Sequence, residues 1–341
     1  MSKKSSILLI YTGGTIGMVK DFETGALKNF NFDQLLNQIP ELKLLDCDIS
    51  TISLEQPIDS SNMQPTNWVD ICNIINENYA DHNGFVVLHG SDTMSYTASA
   101  LSFMLENLSK PVILTGSQLP IGDLRTDAKE NLITAAQLAS LRKNGRPYIT
   151  EVCLYFEYKL YRGNRTTKAS AEHFEAFASP NCIPLATSGV NLTIADQNLR
   201  PYRRKKLIVH EKMITDILVI HLFPGLNEEL LTQMLTKTKF SGVILKTFGN
   251  GNASTQPWFL KLLKNCIDRD IPVVNVTQCL SGVVQMGNYE TSTQLGQLGV
   301  ISGKDITTEA AIAKMMYLLG QDLGKQVFKT IFETSIRGEM C

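Results

Sequence analysis

The chain has 341 residues, which is too many for one ordinary hydrophobic core, because domains usually hold about 100–200 residues. A hydrophobic fraction of 43% and a charged fraction of 19% are typical of a soluble globular protein. The formal net charge of -1 gives no general basic excess, so nucleic acid is not an expected partner. The one basic run, Arg200–Lys206, is interpreted as a solvated linker, with a phosphate or nucleic-acid patch as the alternative.

The chain begins with two lysines and the short apolar run Ile7–Ile10. This run is too short for a signal peptide and no small-residue cleavage site follows it, so we expect a first buried strand. No stretch is apolar over enough residues to span a bilayer, so a membrane is not an expected partner. Seven scattered cysteines without a Cys-x-x-Cys pair favour reduced thiols and a cytoplasmic location.

Apolar runs alternate with helical patterns through the first half of the chain. The predicted strands are Ser6–Tyr11, Gly84–His89, Pro111–Thr115 and Glu151–Phe156. Their nearly continuous apolar character is typical of a parallel sheet covered on both faces. The predicted helices between them are Pro65–Ala80, Met94–Leu108 and Ala128–Leu141. In the first of these helices one stripe carries the apolar side chains Trp68, Ile71, Cys72, Ile75 and Tyr79.

The alternation weakens near residues 191–213 and then resumes. The predicted strands of the second half are Asp216–Leu222, Gly242–Phe248 and Pro272–Thr277, and its predicted helices are Asn227–Thr238, Gln256–Asp268 and Thr307–Leu319. The repeated order predicts an α/β protein with two α/β domains. The larger N-terminal domain, residues 1–190, has a doubly wound, mostly parallel sheet. A linker over 191–212 leads to a smaller C-terminal domain with a parallel sheet, 213–341.

Glycine occurs with hydroxyl or amide side chains after several predicted strands. Because ligands of open α/β sheets bind at the carboxyl ends of strands, these loops are candidate sites. The loops are Thr12–Gly17, Gly90–Thr93, Gly116–Gln118 and Gly249–Asn252.

The first loop has three interpretations. A dinucleotide site is disfavoured, because Gly-Gly-Thr-Ile-Gly is not G-x-G-x-x-G and Asp33 does not end a strand. An ordinary tight turn and a threonine nucleophile both remain open. The second loop, His89–Thr93, fits a helix N-cap and an anion site equally well. The stretch Tyr161–Lys168 fits an exposed loop, unless its lysine acts as a base.

The histidines are isolated, and His89 at the end of an apolar strand is interpreted as a core residue. No Gly-x-Ser-x-Gly elbow and no His-Glu-x-x-His helix occurs, so a serine hydrolase or a metalloprotease is unsupported.

Taken together, the loops give a specific match to a known family. The chain resembles the bacterial L-asparaginases of the asparaginase/glutaminase family, and most closely their cytoplasmic type I branch. The matching segments, in chain order, are Tyr11–Met18, Asp59–Met63, His89–Leu108, Leu114–Pro120, Leu160–Lys168, Phe177–Asn181, Gly249–Ala253 and Thr277–Gly282. The resemblance implies hydrolysis of L-asparagine to L-aspartate and ammonia through a threonine acyl-enzyme, without metal or organic cofactor.

The resemblance also implies residue roles. Thr15 is the expected nucleophile, and Ser91, Asp92 and Lys168 are the supporting hydroxyl, carboxylate and amine. Asp92 is also expected to bind the substrate's ammonium group, and Ser91 is a further expected substrate contact. The remaining substrate contacts are expected from Asp59, Ser60, Ser61 and Asn252.

In this family a neighbouring subunit closes the site, so the resemblance implies a homodimer, or a homotetramer built as a dimer of dimers, with Asn252 crossing between subunits. A second, regulatory asparagine site is expected at Thr167, Lys246 and Cys279.

Three positions depart from the family pattern. Ser91 stands where members usually carry threonine, which keeps the hydroxyl and loses the methyl group. The lid segment Met18–Phe30 has no tyrosine, and Ala26 occupies one place where a tyrosine is common. Lys246 replaces an arginine, and lysine cannot bind a carboxylate in the same bidentate way.

Three other functions remain as alternatives. The amidase subunit of an archaeal-type transamidosome shares this core, but it would need an additional N-terminal domain and a protein or tRNA partner. A nucleotide-binding oxidoreductase would bind NAD. A binding protein for amino acids without catalytic activity would fit the missing lid tyrosine.

Overall fold

The computed structural model describes residues 4–20, 27–29, 39–287 and 290–341. The chain forms two compact units, Met1–Glu211 and Lys212–Cys341. The prediction of a separate linker over 191–212 stays a prediction. Asp33 and Ala26, which the sequence singled out, lie outside the described residues.

The first unit contains a large sheet and several short ribbons. Its strands are β1 (Ser5–Tyr11), β2 (Met18–Lys20), β3 (Leu27–Asn29), β4 (Cys47–Ser53), β5 (Gly84–Leu88), β6 (Leu105–Glu106), β7 (Val112–Thr115), β8 (Arg142–Lys143), β9 (Arg146–Pro147), β10 (Val152–Phe156), β11 (Lys159–Arg162), β12 (Thr167–Lys168), β13 (Phe177–Ala178), β14 (Ala186–Thr187), β15 (Thr193–Ile194) and β16 (Ile208–Val209). Its described helices are α1 (Pro65–Glu77), α2 (Met94–Met104) and α3 (Ala128–Ser140).

Eight of these strands form the large sheet, in the order β15-β14-β11-β10-β7-β5-β1-β4. The five strands from β4 to β10 are parallel, and β11, β14 and β15 continue the sheet in antiparallel pairing. The predicted doubly wound, mostly parallel sheet is therefore confirmed. The strand order reverses beside β1, whose neighbours are β4 and β5. Such a reversal opens a crevice at the carboxyl ends of the strands, where α/β proteins bind ligands.

The central strands are buried on both faces, as their continuous apolar sequences predict. In β1, Ile7 and Leu9 belong to the core that α3 covers, while Leu8 and Ile10 are at most 1% exposed on the opposite face. The apolar stripe of α1 is also buried, from Trp68 to Ile75. Burial of these side chains, at about 25 cal/mol per Å² of apolar surface, holds the helices on the sheet.

Two helix predictions were too long. The helix predicted over Pro65–Ala80 ends at Glu77, so Tyr79 lies beyond α1. The pattern predicts a helix over Met94–Leu108, but α2 ends at Met104 because Leu105 and Glu106 form β6, which pairs with β16. Asn107 then has a positive φ of 63°, a conformation that stops a helix. Pairing with residues about 100 positions away therefore overrides local periodicity.

The second unit is a smaller α/β domain, as predicted. Its strands β17 (Ile217–His221), β18 (Gly242–Thr247), β19 (Val273–Thr277) and β20 (Ile301–Ser302) form a parallel sheet in that order. Its described helices are α4 (Glu228–Lys237), α5 (Pro257–Asp268), α6 (Glu290–Leu298), α7 (Thr308–Leu319) and α8 (Lys325–Phe332). Short parallel strands joined by helices bury a separate core, which includes Leu245, Phe259 and Val273.

Among the described residues, every helix is too short or too polar to span a bilayer. No disulfide links the cysteines, all of which lie within the described ranges.

Candidate active site

The candidate site begins at the carboxyl end of β1. Residues Thr15–Gly17 form one 3-10 turn, in which Gly17 N–H donates to Gly14 O at 3.1 Å, and Thr15 is half-buried. Gly14 has φ of 90°, and a Cβ added there would lie 2.5 Å from the backbone nitrogen of Gly90. Only glycine permits this approach, which brings the turn carrying Thr15 against the loop that follows β5.

A second close approach joins the Thr15 loop to the Asp59 loop. A Cβ on Gly13 would lie 2.2 Å from Ile58 O, and Ile58 N–H donates to Thr12 O at 2.8 Å. The Asp59 loop also contacts the loop after β5, because the Thr93 hydroxyl donates to Ser60 O at 2.7 Å. Three loops from distant parts of the sequence therefore meet at the point where the strand order reverses.

The carboxylate of Asp59 is held in its charged form. It accepts hydrogen bonds from the backbone N–H of Ser61 at 2.9 Å and from the Ser61 hydroxyl at 2.8 Å. The backbone bond first, and then the hydroxyl bond, lower the pKa of Asp59 below its usual value. Because Asp59 is exposed and anionic, it can accept hydrogen bonds from a positively charged group.

Lys168 lies between Ser91 and Asp92. Its Nζ donates to Ser91 Oγ at 2.9 Å and to Asp92 Oδ1 at 2.6 Å. The lysine reaches this place through the hairpin of β10 and β11, whose two turn residues, Glu157 and Tyr158, both have positive φ. Strand β12, which carries Lys168, then pairs with β13. These two bonds hold the Lys168 amine beside the Ser91 hydroxyl and the Asp92 carboxylate.

Gln118 was not assigned a role from sequence, although its loop was among the candidate loops. Its Oε1 accepts a hydrogen bond from Ser91 Oγ at 3.1 Å. Its Nε2 donates to the carbonyl oxygens of Ala171 and His173, at 3.2 and 3.1 Å. The signal in the sequence was an amide side chain at the carboxyl end of a strand, but local sequence did not identify its partners.

His89 is a buried core residue, in agreement with the sequence. Its Nδ1 lies 2.7 Å from Gly90 O, which can only accept, so Nδ1 carries the proton and Nε2 accepts from the Thr97 hydroxyl at 2.9 Å. The indole N–H of Trp68 donates to the Thr97 oxygen at 3.0 Å. Burial lowers the pKa of His89 to about 4. The neutral ring is therefore a fixed support beneath the loop that carries Ser91.

The lowered pKa of His89 predicts an acid-sensitive stability. Below the ordinary pKa of about 6.5 the unfolded chain binds a proton on this ring, whereas the folded chain does so only near pH 4. The free energy of unfolding should therefore fall by up to about 3 kcal/mol as the pH decreases from 6.5 to 4. Urea unfolding of the wild type and His89→Gln at several pH values measures this. Plotted against pH, the free energies of unfolding of the two proteins should have different slopes between pH 4 and 6.5. Parallel curves would contradict the prediction.

The three residues of the expected regulatory site are divided between the two units. Thr167 lies beside Lys168 on β12, in the first unit. Lys246 lies on β18 and Cys279 lies just beyond β19, in the second unit. Gln278 Nε2 donates to Lys246 O at 3.0 Å, so Lys246 and the segment next to Cys279 are connected.

Asn252 lies in a tight loop after β18, in the second unit. Its backbone pairs with Phe248, and Gly251 before it has a φ of 104°. The buried Asn275 donates to Gly251 O at 3.0 Å and accepts from the Thr247 hydroxyl at 2.6 Å. These bonds fix the backbone that carries Asn252.

In the described part of the chain, no group of three or more His, Cys, Asp or Glu side chains is arranged to hold a metal ion. The chemical groups described above are a turn that carries a threonine hydroxyl, a lysine amine, two carboxylates and a glutamine amide. These groups can support nucleophilic attack on a carbonyl carbon, with the amine exchanging protons.

Comparisons with known proteins agree with this chemistry. Residues 6–200 match the family model described as "Asparaginase, N-terminal", and residues 216–332 match "Glutaminase/Asparaginase C-terminal domain". The chain is 43% identical over 339 residues to "L-asparaginase 1" of Escherichia coli strain K12, covering 99% of this chain and 98% of that protein. It is 41% identical to the "60 kDa lysophospholipase" of Mus musculus, covering all of this chain and 63% of that protein.

A solved structure is similar over the same length. L-asparaginase I from Vibrio cholerae O1 biovar eltor superimposes with a TM-score of 0.89 at 41% identity. The match covers 99% of this chain and 100% of that one. Both units of the chain therefore have counterparts in one known structure.

Proposed function

Since this chain belongs to the asparaginase family, we propose that it hydrolyses the side-chain amide of L-asparagine to L-aspartate and ammonia. The observation that carries this proposal is the pair of bonds from Lys168 to Ser91 and Asp92, next to a glycine-supported turn bearing Thr15. The proposed site needs neither a metal nor an organic cofactor. It lies in the first unit, at the carboxyl ends of β1 and β5.

The proposed reaction has two covalent steps. The Thr15 hydroxyl attacks the amide carbonyl, and its proton passes by way of the Lys168 amine to the departing nitrogen, which leaves as ammonia. This forms an ester between Thr15 and the aspartyl group. A water molecule, activated by the same amine, then cleaves the ester and returns the proton to Thr15.

The charged groups of the site fit an amino acid. Asp59 and Asp92 are partners for the substrate's ammonium group, and Ser60 and Ser61 are the proposed contacts of its carboxylate, to which the Ser61 hydroxyl would donate in exchange for its bond to Asp59. The backbone N–H groups near Ser91, at the start of α2, support stabilisation of the tetrahedral oxyanion. A second asparagine site at Thr167, Lys246 and Cys279 remains a proposal, and a hyperbolic dependence of rate on asparagine concentration would contradict it.

An ammonia-release assay tests the function directly. The purified chain is incubated with L-asparagine, L-glutamine or lysophosphatidylcholine, and ammonia or fatty acid is measured. We expect ammonia from L-asparagine. Lysophosphatidylcholine serves as the control substrate, because a lysophospholipase is among the relatives. Hydrolysis of lysophosphatidylcholine alone would contradict the proposal.

We further propose that the active protein is a cytoplasmic homo-oligomer, a dimer or a dimer of dimers, in which Asn252 completes the site of a neighbouring subunit. The support is the rigid loop that presents Asn252 and the family to which the chain belongs. Light scattering measures the mass of the particle, and a monomer that is fully active would contradict this proposal.

Mixed oligomers test the cross-subunit role of Asn252. We expect Thr15→Ala and Asn252→Ala to be inactive or weak separately. When the two variants are co-expressed, about half of the dimers should contain one subunit of each kind. In such a mixed dimer one site has both Thr15 and Asn252 intact, and the other site carries both substitutions. About a quarter of all sites should therefore be active. Steady-state rates of the tagged and purified mixture measure this. Activity no higher than the average of the two single variants would contradict it.

A further inference from the structure

The amide of Gln118 has only one orientation that satisfies its neighbours. On one side lie the carbonyl oxygens of Ala171 and His173, which can only accept hydrogen bonds. The Nε2 donors must therefore face these carbonyls, and Oε1 must face Ser91. The two ends of this side chain consequently have fixed and different roles.

The orientation of Gln118 determines the orientation of the Ser91 hydroxyl. Because an amide oxygen can only accept, the single hydroxyl hydrogen of Ser91 must point to Gln118 Oε1, 3.1 Å away. The lone pairs of Ser91 Oγ then accept from Lys168 Nζ at 2.9 Å. The direction of donation along these two hydrogen bonds, from lysine to serine to glutamine, is thereby fixed.

Serine needs such a restraint more than threonine does. A threonine has a second heavy atom on Cβ, which restricts rotation about χ1, whereas a serine rotates among three staggered positions at little cost. If Ser91 rotated away, its oxygen would lose contact with Lys168. The hydrogen bond to Gln118 holds the rotamer in which Oγ contacts the lysine.

Gln118 is itself held firmly enough to act as a restraint. Its backbone N–H donates to Asp127 Oδ2 at 2.9 Å, and Asp127 also accepts from Leu119 N–H at 3.1 Å and from the Asn131 side chain at 3.1 Å. Asp127 is only 6% exposed. The backbone of Gln118 is therefore anchored to the first turn of α3.

We propose that Gln118 is a positioning residue that fixes the rotamer of Ser91 and, through it, the place of the Lys168 amine, in the role that a threonine methyl would fill at position 91. This inference rests on the proposed function for its kinetic consequence, but not for its structural one. It predicts that the residues at positions 91 and 118 are energetically coupled.

A double-mutant cycle tests the coupling. Gln118→Met has nearly the same shape but offers no acceptor, and it should lower kcat for L-asparagine on the order of tenfold, as the loss of a hydrogen bond worth about 1.4 kcal/mol would. KM should change less than about twofold, because the substrate keeps its contacts. In the Ser91→Thr background the same Gln118→Met change should lower kcat by less than about twofold, since threonine is restrained by its own methyl group.

The Ser91→Thr background distinguishes a positioning role of Gln118 from a purely structural role. Gln118→Met also removes the two bonds to Ala171 and His173, and Ser91→Thr cannot replace those bonds. If the anchoring of that segment were the cause, kcat would fall equally in both backgrounds, which would overturn the proposal. Gln137→Met is the matched control, because Gln137 is an exposed residue of α3, and it should leave kcat and KM unchanged.

Crystal structures of the variants provide a readout that does not depend on turnover. Gln118→Met should distribute the Ser91 oxygen over more than one rotamer, whereas Gln118→Met with Ser91→Thr should show one rotamer. A single, wild-type Ser91 rotamer in Gln118→Met would overturn the proposal. If the wild type released no ammonia, the proposed function would fail, and the rotamers would still decide whether Gln118 positions Ser91.

Discussion

Thr15→Ala is expected to lower kcat for L-asparagine by on the order of 10⁴-fold or more, while the protein stays folded. The hydroxyl of Thr15 is the proposed nucleophile, and without it no ester with the aspartyl group can form. The side chain is half-buried on a turn that is held by the glycine backbone. Loss of one hydroxyl and one methyl group there should change the free energy of unfolding by no more than about 1 kcal/mol.

Single-turnover kinetics and thermal unfolding of the same preparation check this prediction. Thr15→Ser keeps a hydroxyl and should retain part of the activity. Thr236→Ala is the matched control, because Thr236 is an exposed residue of α4 whose hydroxyl donates only to a helix carbonyl. Full activity of Thr15→Ala would refute the assigned nucleophile, and so would an aspartyl ester found at another residue by mass spectrometry of quenched wild type.

Lys168→Met is expected to lower kcat by about 10²–10⁴-fold, which is the usual contribution of a general acid or base. Methionine has a similar length but cannot exchange protons or donate to Ser91 Oγ and Asp92 Oδ1. KM should change less than kcat, because Asp59, Ser60 and Ser61 remain. Steady-state rates over a range of L-asparagine concentrations give kcat and KM of the variant and check the prediction.

Lys264→Met is the matched control for this substitution. Lys264 forms an ion pair of similar length with Asp268, at 2.9 Å, on the surface of α5. Because exposed pairs contribute little to stability, this variant should have wild-type kinetics. If Lys168→Met kept a kcat within a few-fold of the wild type, a different group would have to move the proton.

Asp92 connects the two proposed tasks of the site. It contacts the Lys168 amine, yet its side chain is 62% exposed and so remains accessible to the ammonium group of a substrate. A carboxylate shared between a catalytic amine and a substrate cation links correct binding to correct positioning of the amine. Specificity and rate would then depend on one side chain.

The architecture could be predicted from the amino-acid sequence alone. Continuous apolar runs predicted β1, β5, β7 and β10 to within one or two residues, because a strand buried on both faces requires apolar side chains at every position. The loops that follow these strands could be ranked as candidate sites, since parallel strands share one edge at which their carboxyl ends meet. The family and the proposed roles of Thr15, Ser91, Asp92 and Lys168 came from motifs spread along the whole chain.

The side chains that meet in the candidate site could be identified only in the folded chain. The Lys168 amine contacts residues 76 and 77 positions earlier in the chain, and the side chain of Gln118 joins two further segments. The early end of α2 likewise depends on pairing between β6 and β16. Periodicity and turn chemistry report on neighbours within a few residues, whereas these contacts depend on how strands far apart in the sequence are ordered in one sheet, which local sequence does not encode.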